Sequence, residues 1–224
     1  MLAGGLGTRL RPVVGDLPKP MAPVAGRPFL EILLGSLAGK GVRSTVLSVG
    51  YLAERISGHF GESFRGMRLA YAVEREPLGT GGAARLAAEH CAGDEFLLLN
   101  GDTFLDVELA ALDAHRRAHG NPVVVGREVP DVARFGSITA EGGRLAGFRE
   151  KGASGPGLVN AGCYVLDRAM LASRPVGEPF SLERDLLPSE LARRPIDVFV
   201  TRGLFIDIGV PEEYARAQEL LRDA

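Results

Sequence analysis

Residues 2–12 read LAGGLGTRLRP, and residues 18–31 read PKPMAPVAGRPFLE. In the first stretch, a short apolar start runs into a glycine-rich turn at residues 4–8, and Arg9 follows directly. Glycines let the backbone approach phosphate oxygens, because no Cβ stands in the way. Together with Lys19 of the second stretch, the turn predicts a site that binds a polyphosphate.

Two common phosphate-binding motifs do not fit this turn. The dinucleotide fingerprint GxGxxG would need a glycine where Leu10 stands, and the pattern GxxxxGK[ST] does not occur. The sequence therefore disfavours a dinucleotide-dependent oxidoreductase and a P-loop nucleotide-binding protein.

The first half of the chain alternates apolar runs with amphipathic segments, a pattern typical of strands and crossover helices. Pro28 opens one such segment, whose leucines recur at helical spacing up to Gly41, a candidate C-terminal cap. The predicted strands are 1–3, 45–49, 69–73, 96–99 and 123–125, and the predicted helices are 30–37, 52–60, 82–91 and 108–119. We therefore expect an α/β, Rossmann-like domain with a mixed, mainly parallel central sheet flanked by helices.

After residue 126 the pattern changes. Residues 137–139 and 145–148 flank Glu141, Gly142 and Gly143, which predicts an antiparallel hairpin. Later strands are predicted at 159–166, 196–200 and 204–206, and a last helix is predicted from Pro211. We expect one domain, 1–224, in which 1–126 binds nucleotide and 127–224 binds the partner substrate.

Composition narrows the function classes. The chain has 224 residues, is 46% hydrophobic and carries a formal charge of -2, which allows one sizeable core and gives no bulk attraction to nucleic acid. No run of about 18 apolar residues and no secretory signal is present, so no membrane partner is expected. The two cysteines predict free thiols rather than a disulfide framework, and we expect a cytoplasmic protein.

The two opening motifs resemble those of the sugar nucleotidyltransferases, the pyrophosphorylases that make nucleotide sugars. The resemblance continues through EREPLGTGGA (74–83), LLLNGDTF (97–104), FGSI (135–138), FREK (148–151), VNAGCYVL (159–166), FSLERDLLP (180–188) and FIDIGVPEEY (205–214). Within that family the sequence is most similar to bacterial D-glycero-D-manno-heptose 1-phosphate guanylyltransferases. The resemblance implies transfer of a nucleoside monophosphate from an NTP to a sugar 1-phosphate, with release of pyrophosphate.

The resemblance also assigns residues to the nucleotide. It places Arg9 at the triphosphate and Lys19 at the α-phosphate, where positive charge offsets the repulsion between anions. The implied catalytic residues are Arg9, Lys19 and Asp102. The implied nucleotide-binding residues are Leu2, Ala3, Gly4, Gly5, Gly7, Thr8, Arg9, Glu74, Gly79, Thr80 and Asp102.

Mg²⁺ is the implied cofactor. Asp102 follows the buried run 96–99 and so lies at the C-terminal end of a strand, where α/β sheets bind ligands. Asp207 matches the family's second metal ligand and comes from a strand distant in sequence. Two carboxylates with phosphate oxygens and water suit Mg²⁺.

The acceptor substrate is assigned to the second half of the chain. The resemblance implies that Lys151 binds its phosphate, that Glu150, Asn160 and Glu183 bind its hydroxyls, and that the backbone of Gly136 approaches it closely. For the base we expect guanine read by Glu74, because a carboxylate offers two acceptors to the ring imino and exocyclic amino groups. Glu76 is a competing candidate for this role.

The sequence leaves other functions open, which include two other enzyme activities and one function without catalysis. The acceptor could be mannose 1-phosphate with GTP, or N-acetylmuramate 1-phosphate with UTP, and a noncatalytic nucleotide-sugar-binding regulator could share the fold. His115 and His119 have the spacing of a metal-binding pair, but Arg116 breaks the HExxH motif, which favours a polar helix face. The sequence does not indicate the oligomeric state.

Overall fold

Alternation of helices and strands is the main feature of the computed structural model, which describes residues 1–5, 7, 9–149, 154–222 and 224. The helices are α1 (Arg11–Val14), α2 (Phe29–Gly39), α3 (Ala53–Phe60), α4 (Gly79–Ala88), α5 (Leu109–His119), α6 (Arg168–Ala172), α7 (Leu187–Leu191) and α8 (Pro211–Leu220). The strands are β1 (Pro23–Val24), β2 (Arg27–Pro28), β3 (Ser44–Val49), β4 (Ser63–Phe64), β5 (Met67–Val73), β6 (Glu95–Leu99), β7 (Thr103–Leu105), β8 (Val123–Val129), β9 (Ser137–Glu141), β10 (Arg144–Arg149), β11 (Gly157–Asp167), β12 (Asp197–Thr201) and β13 (Phe205–Asp207). A short 3₁₀ helix covers Lys19–Met21, and a π-helical turn covers Leu182–Leu186.

Residues 1–3 join two sheets. Leu2 forms parallel bridges with Ser48 of β3 and with Asn100, directly after β6. One side then continues in the order β3-β5-β4, and the other in the order β6-β11-β8-β12-β10-β9. The predicted first strand is thus a single pair of bridges between its neighbours, too short to extend further.

The sheet is mixed, as predicted. Pairing is parallel between β3 and β5 and between β8 and β12, while β11 runs antiparallel to both β6 and β8. The predicted hairpin is confirmed as β9 and β10, and Gly142 and Gly143 at its turn have φ of 56° and 79°. Two positive φ angles are the requirement of the tight turn that suits a twisted hairpin.

Helix boundaries follow their capping residues closely. Pro28 precedes α2, whose leucines 30, 33, 34 and 37 are buried, and Gly41 follows it with φ of 88°. Pro211 occupies the first position of α8, where its missing N–H costs no hydrogen bond. The predicted helix 82–91 is corrected to Gly79–Ala88. The carbonyl of Phe180 accepts hydrogen bonds from the N–H groups of Gly81 and Gly82, so a first turn can form before residue 82.

Apolar side chains fill both faces of the joined sheet. One cluster gathers α2, β3 and the end of the chain around Phe29, Leu34 and Leu47, all fully buried. A second lies between α4, β11 and the segment 180–187, around Tyr164 and Leu182. Among the described residues, no helix is long and apolar enough to cross a bilayer.

Candidate active site

A cavity of about 370 Å³ opens at the C-terminal ends of the central strands. Glu74 directly follows β5, and Asp102 comes soon after β6, so both carboxylates lie at the edge where α/β sheets place ligands. The predicted nucleotide-site residues that line it are Leu2, Ala3, Gly4, Gly5, Lys19, Glu74, Gly79, Thr80 and Asp102. The same cavity is lined by Pro20, Pro77, Ala83, Asn100 and Gly101, which the sequence analysis did not assign.

Lys19 lies between the two predicted metal ligands. Its ammonium Nζ is 2.6 Å from Oδ2 of Asp102 and 3.8 Å from Oδ1 of Asp207. The Lys19 side chain is only 9% exposed, so this cation is a built part of the site rather than a solvated surface charge.

Pairing between β7 and β13 brings the two aspartates together across about a hundred residues of sequence. The strands run antiparallel, with Asp207 opposite Thr103, and the N–H of Ile208 donates to the carbonyl of Asp102 over 3.0 Å. The predicted association of Asp102 with Asp207 is therefore present in the fold.

The electrostatics of this cluster favour a bound cation. Burial, and then the negative charge of Asp102, raise the pKa of Asp207 above its usual value. The ammonium of Lys19, the N–H of Gly209 and the guanidinium of Arg9 act in the opposite direction. Two carboxylates that disfavour each other's charge form a donor set that a divalent ion with oxygen ligands would relieve, so the residues fit Mg²⁺ chemically.

Gly209 provides the space in which the cations converge. A Cβ at this position would lie 3.0 Å from Nζ of Lys19, 3.4 Å from Nη2 of Arg9 and 2.8 Å from Oδ1 of Asp207. Any larger side chain at position 209 would therefore occupy the space that the charged groups of Lys19, Arg9 and Asp207 surround. The exposed Arg9 and the buried Lys19 together present two positive charges to an anion there.

Glu74 is held in place by two hydrogen bonds within the protein. Its Oε1 accepts a hydrogen bond from Oγ of the buried Ser48, 3.0 Å away, and its Oε2 accepts one from the N–H of Leu78, 3.2 Å away. Gly4 leaves the room that this carboxylate needs, because a Cβ there would collide with Oε1. Each oxygen keeps a lone pair for a ligand. Ser48, which sequence reasoning missed because it lies within an apolar strand, fixes the orientation of Glu74.

A second cavity, of about 920 Å³, holds the predicted acceptor residues Gly136, Asn160 and Glu183. The N–H of Asn160 donates to the carbonyl of Gly136 over 3.0 Å, which places these two residues side by side. Phe148 and Arg184 also line this cavity.

Asn160 and Glu183 are bonded to each other through a buried tyrosine. Asn160 Nδ2 donates to the hydroxyl of Tyr164 over 2.7 Å, and that hydroxyl donates to Oε1 of Glu183 over 2.9 Å. Burial, and then the charge of Glu183, raise the pKa of Tyr164 well above its usual value, so its proton stays available to the carboxylate. The predicted hydroxyl-binding residues Asn160 and Glu183 thus also bind a neighbouring side chain. Sequence reasoning missed Tyr164, because it lies within an apolar strand and its pattern predicts only packing.

Glu183 also connects the two cavities. Its Oε2 accepts hydrogen bonds from Oγ1 of Thr80, at 2.9 Å, and from Oγ of Ser181, at 3.0 Å. Thr80 lies in the first turn of α4 and lines the nucleotide cavity. A single carboxylate therefore lines the second cavity and is hydrogen-bonded to a residue that lines the nucleotide cavity.

Some predicted residues lie elsewhere. Gly7 has φ of 60° and lies against Lys19, where a Cβ would come within 2.8 Å of the lysine Cβ. Thr8, Glu150 and Lys151 lie outside the described residues.

The chain is similar to known proteins over nearly its whole length. The chain matches the nucleotidyl transferase family over residues 1–224. It is 35% identical over 223 residues to the D-glycero-alpha-D-manno-heptose 1-phosphate guanylyltransferase of Aneurinibacillus thermoaerophilus, covering 99% of this chain and 97% of that protein. It is 36% identical over 222 residues to a mannose-1-phosphate guanylyltransferase of Mycobacterium tuberculosis, covering 96% of this chain and 62% of that protein.

A solved structure resembles nearly the whole chain. The crystal structure of HddC from Yersinia pseudotuberculosis complexed with GMP-PN superposes with a TM-score of 0.87 at 37% identity, covering 97% of this chain and 96% of that one. The Rossmann-like fold expected from the sequence is thereby confirmed.

Proposed function

This chain belongs to the nucleotidyl transferase family, and we propose that it transfers GMP from GTP to D-glycero-alpha-D-manno-heptose 1-phosphate. The products are the GDP-sugar and pyrophosphate. The observation that carries the proposal is the convergence of Arg9, Lys19, Asp102 and Asp207 at one side of the nucleotide cavity. A noncatalytic regulator would have no need for that set.

In the proposed reaction, a phosphate oxygen of the sugar 1-phosphate attacks the α-phosphorus of GTP, and the bond to the β-phosphate oxygen breaks. The electron pair leaves with pyrophosphate, so no covalent enzyme intermediate is needed. The barrier lies in bringing two anions together and in the charge that builds on the α-phosphate oxygens. Lys19 and Arg9 would supply fixed positive charge at that point.

Enzymes of this family generally use a divalent metal ion, and we propose Mg²⁺ here. Asp102 and Asp207 would hold it, because pairing of β7 with β13 makes them neighbouring carboxylates, and Asp102 lines the cavity. The ion would polarise phosphate oxygens and neutralise part of their charge. Lys19 partly balances the same two carboxylates in the protein alone.

Guanine is the proposed base, and Glu74 its principal reader. The carboxylate is immobilised by Ser48 and by the N–H of Leu78, and it keeps two acceptor positions. These match the imino N–H and the exocyclic amino group of guanine, which form a bidentate pair with a carboxylate. Gly79 and Thr80 would support the nucleotide from the start of α4.

The acceptor is proposed to bind in the second cavity. Gly136, Asn160 and Glu183 are gathered there, and from the resemblance we propose that Lys151 binds the phosphate and Glu150 a hydroxyl. In this scheme residues 1–126 serve the nucleotide and residues 127–224 the sugar phosphate. We propose a cytoplasmic enzyme, since both cysteines are free thiols, as is usual in a reducing compartment.

Mannose 1-phosphate is the second candidate acceptor, because the relative from Mycobacterium tuberculosis is equally similar in sequence. The experiment that separates the candidates is a matrix of five NTPs against a panel of sugar 1-phosphates, with pyrophosphate release as the readout. We expect GTP and the heptose 1-phosphate to give the highest kcat/KM. Higher kcat/KM with mannose 1-phosphate would replace the acceptor, preference for UTP would replace the base, and no pyrophosphate from any pair would contradict the family activity.

A further inference from the structure

A second cluster of titratable side chains lies away from both cavities. His115 and His119 are one turn apart at the end of α5, and Asp197 is the first residue of β12. Pairing through β8 and β11 aligns Asp197 with Leu97 of β6, three strands away, which corresponds to about 14 Å. Asp102 lies further still, beyond the end of β6. The cluster is therefore separate from the proposed reaction site.

Asp197 is buried, and within the described ranges no Lys or Arg side chain forms an ion pair with it, although Arg144 of β10 is its cross-strand neighbour. The Asp197 side chain is 6% exposed, and its Oδ1 accepts a hydrogen bond from Nδ2 of Asn121 over 3.1 Å. Its Oδ2 lies 3.4 Å from Nε2 of His115 and 3.7 Å from Nδ1 of His119, its ion-pair partners in the described part of the chain.

Two buried polar atoms in this cluster lack hydrogen bonds. They are Oδ2 of Asp197 and Nε2 of His115, the buried unpartnered side-chain atoms within the described ranges. A buried carboxylate oxygen and a buried imidazole nitrogen without hydrogen bonds lower the free energy of unfolding, unless another group lies between them and binds both. The two atoms face each other, so one small cation would satisfy both.

The spacing of the ligand atoms fits a tetrahedral metal ion. Bonds of about 2.0–2.1 Å from Zn²⁺ to nitrogen and oxygen separate two ligand atoms by about 3.4 Å. That is the distance between Asp197 and His115, and the ligand atoms of all three residues lie within 4.8 Å of one another. His119 is half exposed, which gives an ion access and leaves a fourth position for water.

We propose that His115, His119 and Asp197 bind one Zn²⁺ or a similar transition-metal dication, which ties the end of α5 to the start of β12. Imidazole ligands select such metals over Mg²⁺, which prefers oxygen. Asn121 orients the carboxylate from behind, as outer partners of metal ligands commonly do. Nδ1 of His119 lies 2.9 Å from the carbonyl of His115, and ligation through Nδ1 replaces that hydrogen bond.

A proton on His115 is the competing occupant of the gap. The neighbouring cations on α5 are engaged elsewhere: Arg116 pairs with Asp167 and Glu95, and Arg117 pairs with Asp113. Arg144, opposite Asp197 on β10, is exposed and forms no ion pair with it in the described part of the chain, so the ion-pair partners of Asp197 there are the two imidazoles. The test must therefore distinguish metal binding from simple protonation.

The experiment titrates Zn²⁺ into chelator-treated, dialysed protein by calorimetry, with excess Mg²⁺ present to occupy oxygen-ligand sites. Co²⁺ is titrated in parallel, because tetrahedral Co²⁺ has intense visible absorption. We expect one ion per chain, and binding weakened by about tenfold or more in His119→Gln and further in the double variant His115→Gln/His119→Gln. His59→Gln is the control, since His59 is an exposed histidine 3.7 Å from Glu31 and should leave binding unchanged.

Two results would overturn the proposal. One is the absence of stoichiometric Zn²⁺ binding to the parent protein, and the other is equal affinity in the parent and the double variant. If no ion binds, an NMR titration of His115 that changes in Asp197→Asn would identify a proton as the occupant. His119→Gln changes a half-exposed side chain, so the test does not depend on variants that disturb the core.

Discussion

At the scale of single residues, the candidate site is organised by Lys19. This buried cation contacts both aspartates, and its neighbours Gly7 and Gly209 have no side chains in the space beside it. A fixed charge in a water-poor site acts on a developing negative charge without reorganising first. The role proposed for Lys19 therefore depends on its fixed position in the site, and not only on its positive charge.

We expect Lys19→Ala to lower kcat by about two orders of magnitude or more, because it removes positive charge from the reacting phosphate. Lys40→Ala is the matched control, since Lys40 pairs with Asp106 outside the site. Steady-state pyrophosphate release measures both variants. Turnover of Lys19→Ala within a few-fold of the parent would remove Lys19 from the proposed chemistry.

Glu74→Gln should lower the preference for GTP over the other nucleotides by about tenfold or more, since an amide offers one acceptor where the carboxylate offers two. Glu76→Gln is the control, because Glu76 is exposed and does not line the cavity. The measurement is kcat/KM for GTP, UTP, dTTP, ATP and CTP in each protein. An unchanged base profile in Glu74→Gln would show that another group reads the base.

The charged residues of this site could be predicted from the sequence, whereas the residues that orient them through hydrogen bonds could not. Asp102 and Asp207 could be paired from their positions after apolar runs, together with the resemblance. Ser48 and Tyr164 could not be found, because each lies in a buried strand where the pattern predicts only packing. Their partners, Glu74 and Glu183, lie 26 and 19 residues further along the chain, and no residue spacing in the sequence predicts those contacts.

At the scale of elements, the two cavities meet where α4, β11 and the π-helical turn Leu182–Leu186 come together. The turn begins at Ser181, whose hydroxyl accepts a hydrogen bond from the N–H of Arg184. It is placed by Phe180, whose backbone hydrogen-bonds to the start of α4. Such a short element is stabilised by these tertiary contacts, which is why local periodicity did not predict it.

Tyr164→Phe should raise KM for the sugar 1-phosphate by about tenfold and leave KM for GTP nearly unchanged. The substitution removes one hydroxyl that joins Asn160 to Glu183, a contact to a charged group worth about 1.5–3 kcal/mol. Separate KM and kcat values for both substrates test this. Equal changes for both substrates, or none, would show that the tyrosine serves packing alone.

At the scale of the whole molecule, residues 1–3 hold together the sheet on which the site depends. By bridging to β3 and to the end of β6, they place the glycine-rich turn beside Glu74 and Asp102. The alternation of strands and helices in the first half was predictable, since each element has its own apolar face. The order of strands in the second half was not, because β11 pairs with three strands that no local pattern identifies.

If residues 1–126 bind the nucleotide and residues 127–224 bind the sugar phosphate, a substitution in one half should change KM for one substrate more than for the other. Lys151→Ala should raise KM for the sugar 1-phosphate far more than KM for GTP, because its proposed contact is with the acceptor's phosphate. Initial rates over a grid of both substrate concentrations give the two constants. Equal effects on the two constants would place Lys151 in another role.

The most direct test of nucleotidyl transfer by this protein is a ³¹P NMR time course with GTP, Mg²⁺ and D-glycero-alpha-D-manno-heptose 1-phosphate. Attack on the α-phosphorus predicts that GTP and sugar phosphate signals fall together. Signals of a nucleoside diphosphate sugar and of free pyrophosphate should then rise in equal amounts. Formation of GDP and inorganic phosphate instead, or no reaction with this or any other sugar 1-phosphate, would contradict the proposed nucleotidyl transfer.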